Sequence, residues 1–156
     1  MGGRFLIIIA LAFVLTSFGG KAPPLFDEHK RMETQAFLEY SLIFQSIFHG
    51  KPVKEMVEIF YPKMIGEYKK FIKRYPKSHL VDDAKLTIAE FYSLTGGELP
   101  DAQLHEDIKF DDDWRKKAVP WLKDVVNRHP EGKISGPYAG EDKDQPTAAF
   151  ALYYLY

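Results

Sequence analysis

Apolar residues recur every three or four positions along most of this chain, which is the period of one buried face of an α-helix. The first stripe predicts a helix from about Glu28 to Phe48, which Gly50 and Pro52 then end. Its apolar members are Ala36, Tyr40, Ile43, Phe44, Ile47 and Phe48. No segment keeps the two-residue alternation of a strand for long, so the pattern predicts an all-α fold.

A second helical region follows, and proline interrupts its pattern. Residues 53–60 lead to Pro62, where we expect a break, because proline has no N–H to donate and crowds the preceding turn. Beyond Pro62 one helix face is apolar until Pro76 ends the helix. The members of that face are Ile65, Tyr68, Ile72 and Tyr75.

The third predicted helix starts near Asp82 or Asp83, either of which is suited to cap it, and ends at the glycine pair 96–97. Its buried stripe consists of Val81, Ala84, Ile88, Phe91 and Tyr92. The next position after Ala84 is Lys85, which we expect to face water. These three regions therefore read as successive helices joined by short turns.

One sequence pattern occurs twice in the chain. The residues from Tyr68 to Pro76 read YKKFIKRYP, those from Leu122 to Pro130 read LKDVVNRHP, and each copy leads into an alanine-rich apolar segment. A small residue, Ala84 or Ala148, would let the second helix of each unit approach the first closely. Two such units, at about 53–97 and 113–156, predict antiparallel helix pairs stacked as a short solenoid.

The second unit carries ten additional residues between its two helices. Eight positions separate Pro76 from Ala84, whereas eighteen separate Pro130 from Ala148. Glycine and proline within 131–147 predict a loop. Long loops in compact domains are often functional, but surface loops also tolerate idle insertions, so both interpretations stay open.

The first twenty residues have the pattern of a secretory signal peptide. Arg4 precedes an apolar run from Phe5 to Leu15, and small residues follow, so cleavage after Gly19 would leave a chain that begins near Lys21. Residues 21–27 would then form a linker, and 28–156 the helical-repeat domain. The apolar run is shorter than the roughly 20 residues of a spanning helix, although retention as an anchor is the alternative. We expect a periplasmic or otherwise exported protein.

Composition narrows the classes of function. Cysteine is absent, which excludes disulfides, zinc thiolates, haem attachment and a lipid-carrying cysteine. The net charge is -1, and both signs are interspersed, so the basic footprint of a nucleic-acid-binding protein is missing. With 46% hydrophobic residues, 156 residues are enough for one soluble domain around a single core.

The stretch from Phe71 to Tyr92 resembles the tetratricopeptide-like repeats of periplasmic proteins, such as the outer-membrane assembly lipoproteins and the coordinator protein of the Tol-Pal system. The resemblance rests on an aromatic-Pro-x-Ser turn at 75–78, followed by Ala84, an Ile-Ala pair at 88–89 and Tyr92. In the second unit, Gly132 stands in place of the serine. The resemblance implies paired helices, an envelope location and protein partners.

Candidate catalytic chemistry is confined to the acidic stretch before the second unit. His105 and Glu106 begin like a zinc-protease motif, but Lys109 stands where the second histidine is needed. Asp111 to Asp113 lack the alternate spacing and the glycine of an EF-hand loop, and the last aspartate is suited to cap a helix that starts at Trp114. We therefore assign no catalytic residue, metal ligand or cofactor. A metal-dependent hydrolase that uses 105–113 is the alternative.

The leading hypothesis is a non-catalytic scaffold for protein–protein interaction in the bacterial cell envelope. Other envelope proteins or peptide segments would lie in a groove lined by the first helix of each pair. We expect no nucleic acid, no small-molecule substrate, and membrane contact only through the signal segment or a partner. The candidate partner-binding residues are Lys69, Lys70, Lys73, Trp114, Trp121 and Tyr138.

Overall fold

The computed structural model of this chain describes residues 28–45, 52–98, 106–136 and 140–155. The chain divides into two compact units, 1–31 and 32–156. The predicted signal peptide and linker lie outside the described residues, and so does the predicted end of the first helix, from Ile47 to Gly50. Two candidate site residues, His105 and Tyr138, also lie outside them.

The described residues form six α-helices. These are α1 (Glu28–Gln45), α2 (Val53–Glu55), α3 (Tyr61–Arg74), α4 (Val81–Thr95), α5 (Trp114–Arg128) and α6 (Thr147–Leu155). A π-helical turn, Met56–Phe60, joins α2 to α3, and a 3-10 turn, Gly140–Asp142, precedes α6. Within these ranges the nearest approach to a strand is an isolated bridge between Lys133 and Pro146. The all-α prediction is confirmed, and consecutive helices from α3 to α6 pack against each other.

The predicted break at Pro62 is wrong. The N–H of Tyr61 donates to the carbonyl of Met56, five residues earlier, so the chain is wound as a π-helix just before the proline. Pro62 then lies in the first turn of α3, where a missing N–H is tolerated. The π-helical turn therefore carries the chain into α3 without an interruption.

In both helix pairs the first helix ends in the same kind of turn. Tyr75 follows α3 with φ −123° and ψ 58°, and His129 follows α5 with φ −129° and ψ 49°. Each donates its N–H to the carbonyl four residues earlier. The carbonyl of Tyr75 then accepts a hydrogen bond of 3.1 Å from Ser78 N–H, and the carbonyl of His129 accepts one of 3.0 Å from Gly132 N–H. The repeated sequence pattern therefore corresponds to a repeated local structure.

One part of the core forms where α1, α3 and α4 meet. Tyr40 of α1 packs edge-on against Tyr68 and Phe71 of α3, with ring centroids 5.3 and 5.6 Å apart. Ala84 is fully buried in the same cluster, as predicted for the contact between the first pair of helices. Its small side chain fits the close approach of α4 to its neighbours.

A second part of the core lies between α4, α5 and α6. Its buried members are Leu86, Ala89, Ala118, Leu122, Val125 and Ala151. Ala148, which was expected at the helix contact, is only half-buried, whereas Ala151 is fully buried. The reason is helical phase: α6 begins at Thr147, which is itself buried, and Ala151 lies one turn further on that face.

The expectation that Lys85 faces water is wrong. Its side chain is buried between α4 and α5, with Nζ 2.5 Å from Asp124 Oδ2 and 2.7 Å from His129 Nε2. Burial and the positive charge of Lys85 lower the pKa of His129, so a neutral imidazole accepts the hydrogen bond. Burial alone would raise the pKa of Asp124, but its hydrogen bond and charge pair with Lys85 outweigh this effect and lower it.

Asp82 and Asp83 do not cap α4. Both lie inside its first turn and are buried, and they bind the long loop of the second unit. Asp82 Oδ2 accepts a hydrogen bond of 2.6 Å from the Thr147 hydroxyl. Asp83 Oδ2 accepts two bonds of 3.1 Å from Ser135, one from its N–H and one from its hydroxyl. Hydrogen bonds therefore hold the described part of the insertion against α4.

The two ends of this loop also pair with each other. Ile134 N–H donates to Gln145 O at 2.9 Å, and Thr147 N–H donates to Gly132 O at 3.1 Å. A side chain at Gly132 would overlap the Asp82 carboxylate and the Thr147 hydroxyl. Glycine at this position is therefore explained by the close contact between the loop and α4.

Candidate functional site: a groove beside helix α3

An open groove with a volume of about 830 Å³ lies alongside α3. Its helix side is formed at successive turns by Glu58, Pro62, Gly66 and Lys69. Its other side is formed by the last two turns of α4, the segment 109–113 and the first turn of α5. Most of the lining belongs to α3, the end of α4 and the segment 109–113, and α5 contributes only Lys117, so this groove is not lined evenly by the first helix of each predicted pair.

The segment opposite α3 is held in place by hydrogen bonds at two points. Asp111 N–H donates to Thr95 O at 2.8 Å, and Lys109 N–H donates to Glu58 Oε1 at 3.1 Å. The turn after α4 needs glycine, because Gly97 has a φ of 90°, in the region that L-residues rarely adopt. These two hydrogen bonds therefore hold the segment 109–111 against α4 and the turn before α3.

Lys69 has unusual surroundings at one end of the groove. Its Nζ donates to the Tyr92 hydroxyl at 2.8 Å and lies 5.3 and 5.6 Å from the ring centroids of Tyr92 and Trp121. Such cation–π contacts hold an ammonium group without neutralising it. Among the described residues no carboxylate lies within ion-pair distance of Lys69.

Three other charged residues that line the groove, Asp111, Asp113 and Lys117, take part in ion pairs. Lys117 lies 2.5 Å from Asp111 Oδ2, and this hydrogen bond lowers the pKa of Asp111 and raises that of Lys117. Asp113 Oδ1 lies 2.6 Å from Lys116 Nζ. Asp113 occupies the N-cap position of α5 but makes no capping bond with its side chain, contrary to the prediction. Asp111 Oδ1 instead accepts the N–H of Asp113 at 3.1 Å, which makes an Asx turn before α5.

The structure brings some of the predicted partner-binding residues together and separates others. Lys69 and Trp121 meet beside Tyr92, as described above. Lys70 is exposed and pairs with Glu67 at 2.8 Å, and Lys73 is exposed on the same helix; neither lines the groove. Trp114 is half-buried against Gly96, where an added Cβ would overlap its ring. Trp114 therefore anchors the start of α5.

Two groove residues were missed by sequence reasoning. Tyr92 was assigned to the buried stripe of α4, but it is half-buried and turns its hydroxyl to Lys69. Gly66 was not singled out, although glycine inside a helix destabilises it by about 0.5–1 kcal/mol relative to alanine. That cost was the available signal, because a helix interior normally excludes glycine unless something requires it.

Over the residues that the structure describes, no group of three or more histidine and acidic side chains could hold a metal ion. None of the helices in those ranges combines the length and the apolar character needed to cross a membrane.

Comparison with known proteins yields no family model that matches this chain, and no match among curated proteins or solved structures.

Proposed function

We propose that this chain is a non-catalytic scaffold for protein–protein interaction in the bacterial cell envelope, which holds a peptide segment of its partner in the groove beside α3. The single observation that carries this proposal is the groove. It combines apolar side chains, the aromatic rings of Tyr92 and Phe110, and a few charged groups, among them Lys69, in one concave surface, which is the usual make-up of a binding site.

The pairing of helices supports a tetratricopeptide-like architecture. In this proposal α3 with α4 and α5 with α6 are two repeats, and the matching turns at Tyr75 and His129 are their common feature. In stacked repeats of this kind each unit is stabilised by its neighbour, and the surface between units binds partners. In this proposal the groove belongs mainly to the first repeat, with Lys117 contributed by the second.

The envelope location rests on the amino-terminal pattern, in which Arg4 and the apolar run Phe5 to Leu15 precede small residues. Partners would then be other exported proteins. For the alternative, a metal-dependent hydrolase, the acidic segment offers less, because Asp111 and Asp113 already bind lysines. We therefore favour binding over metal-assisted catalysis.

Selection of peptides from a random phage-displayed library on the full chain tests the proposal. Gly66→Trp places a large side chain in the wall of the groove, at a position where an added Cβ meets no heavy atom within 4 Å. We expect selected peptides to bind the natural chain and to lose binding to Gly66→Trp, while Lys73→Ala, outside the groove, changes nothing. Failure to select any peptide, or equal binding by Gly66→Trp, would refute the proposal.

A further inference from the structure

The acidic residues of α4 all bind the same later part of the chain, residues 132–136 and 140–155, which we call the α6 segment. The three acidic residues are Asp82, Asp83 and Glu90. Their hydrogen-bond donors are, in the same order, the Thr147 hydroxyl, the N–H and hydroxyl of Ser135, and the Tyr154 hydroxyl. The α6 segment is therefore held on α4 in part through carboxyl groups.

Two of these carboxyl groups are buried next to each other without a cation. Asp82 is 3% exposed and Asp83 is 5% exposed. Among the described residues, neither of them takes part in an ion pair, and neither does Glu90. Buried carboxylates are usually paired, because the charged form loses its hydration. Here hydrogen bonds, rather than an opposite charge, accompany the burial.

The titratable groups around Asp83 and Glu90 offer little positive charge. They are Tyr40 of α1, Tyr68 of α3, His79 of the turn before α4, Asp82 of α4 itself, Asp142 of the 3-10 turn and Tyr154 of α6. Of these, His79 can carry a positive charge, but it already bonds Glu33 Oε2 at 2.7 Å. Burial, with a smaller effect of neighbouring carboxyl groups, raises the pKa of Asp83 to about 6 and that of Glu90 to about 7, although their hydrogen bonds act in the opposite direction.

Helix α6 packs against the rest of the molecule over a small area. Of its nine residues, Thr147 and Ala151 are buried, whereas Leu152 is 41% exposed, Tyr153 79% and Tyr154 43%. A helix of this length is marginal by itself in water and depends on its packing. A moderate change in the energy of its contacts with α4 is therefore enough to change how often α6 detaches.

We infer that the α6 segment is a pH-sensitive latch, which lies closed on α4 while Asp83 and Glu90 are protonated and opens more often as they ionise. Opening admits water to both carboxylates and removes the cost of burying their charge. Both groups hold a proton more tightly in the closed state, so closure weakens as the pH rises from about 4 to about 7. The latch is separate from the groove beside α3, whose lining residues all precede residue 132.

Hydrogen exchange measured by mass spectrometry on the full chain, between pH 5 and pH 8, tests the latch. Each exchange rate is divided by that of the unstructured chain at the same pH, so the resulting protection factor reports opening. We expect the protection of 147–155 to lie at least about tenfold below that of α3 at each pH, because α6 opens without the rest of the fold. Over this pH range it should also fall at least about tenfold, since opening releases protons.

Variants that remove the charge connect this fall to the two carboxyl groups. Asp83→Asn with Glu90→Gln keeps an acceptor oxygen at each position and should abolish the pH-dependent fall in α6. Glu90→Gln alone, at a half-buried position, should reduce the fall and serves as the test if the double variant does not fold. Asp112→Asn, at an exposed position outside the latch, is the control and should behave like the natural chain.

Three results would overturn the inference. Protection of α6 that does not change with pH would show that its opening releases no protons. Equal protection of α6 and α3 at every pH would show that α6 opens only when the whole chain unfolds. An unchanged fall in both Glu90→Gln and the double variant would assign the pH dependence to other groups.

Discussion

Lys85 Nζ lies 2.5 Å from Asp124 Oδ2, and this ion pair joins α4 to α5. The Lys85 side chain is only 10% exposed, although it follows Ala84, which faces the other part of the core. Two consecutive residues of α4 are thus buried on different sides. Because α4 is packed between α3 and α5, its first turn has almost no face left for water.

Replacing Lys85 by leucine should therefore destabilise the protein. The change leaves the Asp124 carboxylate without its buried partner, although Arg128 Nε remains 3.0 Å away. We expect a loss of about 1–3 kcal/mol in the free energy of unfolding, measured by urea titration. Lys73→Leu, at an exposed lysine of α3, is the control and should cost little. Equal costs for the two variants would mean that the ion pair adds no stability.

Enlarging the buried alanines should be costly in proportion to their burial. Ala84 and Ala151 are fully buried, so leucine at either position should overpack a helix contact and cost roughly 1–3 kcal/mol. Ala148→Leu is the matched comparison within α6, because Ala148 is half-buried and should be better tolerated. A larger cost at Ala148 than at Ala151 in urea titration would show that the buried face of α6 is wrongly assigned.

Two carboxyl groups of α4 should make the stability depend on pH. Burial raises the pKa of Asp83 to about 6 and that of Glu90 to about 7. Glu90 accepts a hydrogen bond of 3.2 Å from the Tyr154 hydroxyl, and the other groups that raise its pKa, Asp83 and Asp142, are themselves acidic. The folded chain therefore retains protons that the unfolded chain releases.

Since the folded state binds more protons between about pH 4 and pH 7, the free energy of unfolding should fall as the pH rises through that window. We expect a fall on the order of 2 kcal/mol, measured by urea titration at several pH values. The combined variant Asp83→Asn, Glu90→Gln should flatten the profile, whereas the exposed Asp112→Asn should leave it unchanged. An unaltered profile in the combined variant would assign the pH dependence to other groups.

The acidic segment should not respond to metal ions. Asp111 stabilises the start of α5, so Asp111→Ala should cost about 0.5–1.5 kcal/mol through the lost hydrogen bonds from Asp113 N–H and Lys117 Nζ. Calcium or zinc should leave Tm unchanged in both forms, because only binding to the folded state raises it. A metal-dependent rise in Tm that disappears when His105, Glu106 and Asp111 are replaced by alanine would support the hydrolase instead.

Export is a prediction from the amino-terminal residues alone. Expressed in a Gram-negative bacterium, the chain should be recovered outside the cytoplasm, shortened by about 20 residues and beginning near Lys21. Mass spectrometry of the periplasmic fraction measures both properties. An intact chain that starts at Met1 in the membrane fraction would favour retention as an anchor.

Helical periodicity was sufficient to predict the elements because each depends on residues close together in the chain. Helical periodicity failed to predict the role of a side chain whose hydrogen-bond partner is distant in the sequence. Asp82 and Asp83 look like helix caps locally, but they bind Thr147 and Ser135, 65 and 52 residues away. The predicted break at Pro62 was wrong for another reason. The π-helical turn before the proline keeps the chain helical, and the pattern of side chains does not encode that winding.

The candidate site was predicted in part for the same reason. Lys69 and Trp121 were identified one by one, as a charged and an aromatic residue on predicted helices. That they converge on Tyr92 follows from the packing of three helices, which no local pattern contains. Gly66 carried a local signal, an unfavourable residue within a helix, and its position in the lining of the groove became known only from the structure.

The contact between Asp82 and Thr147 also bears on the order in which the chain folds. It joins positions 65 residues apart, whereas Ser78 N–H bonds Tyr75 O within the turn between α3 and α4. Forming the distant contact requires closure of a long loop, and the entropy cost of closure rises with loop length. The first helix pair should therefore form early, and α6 should attach last.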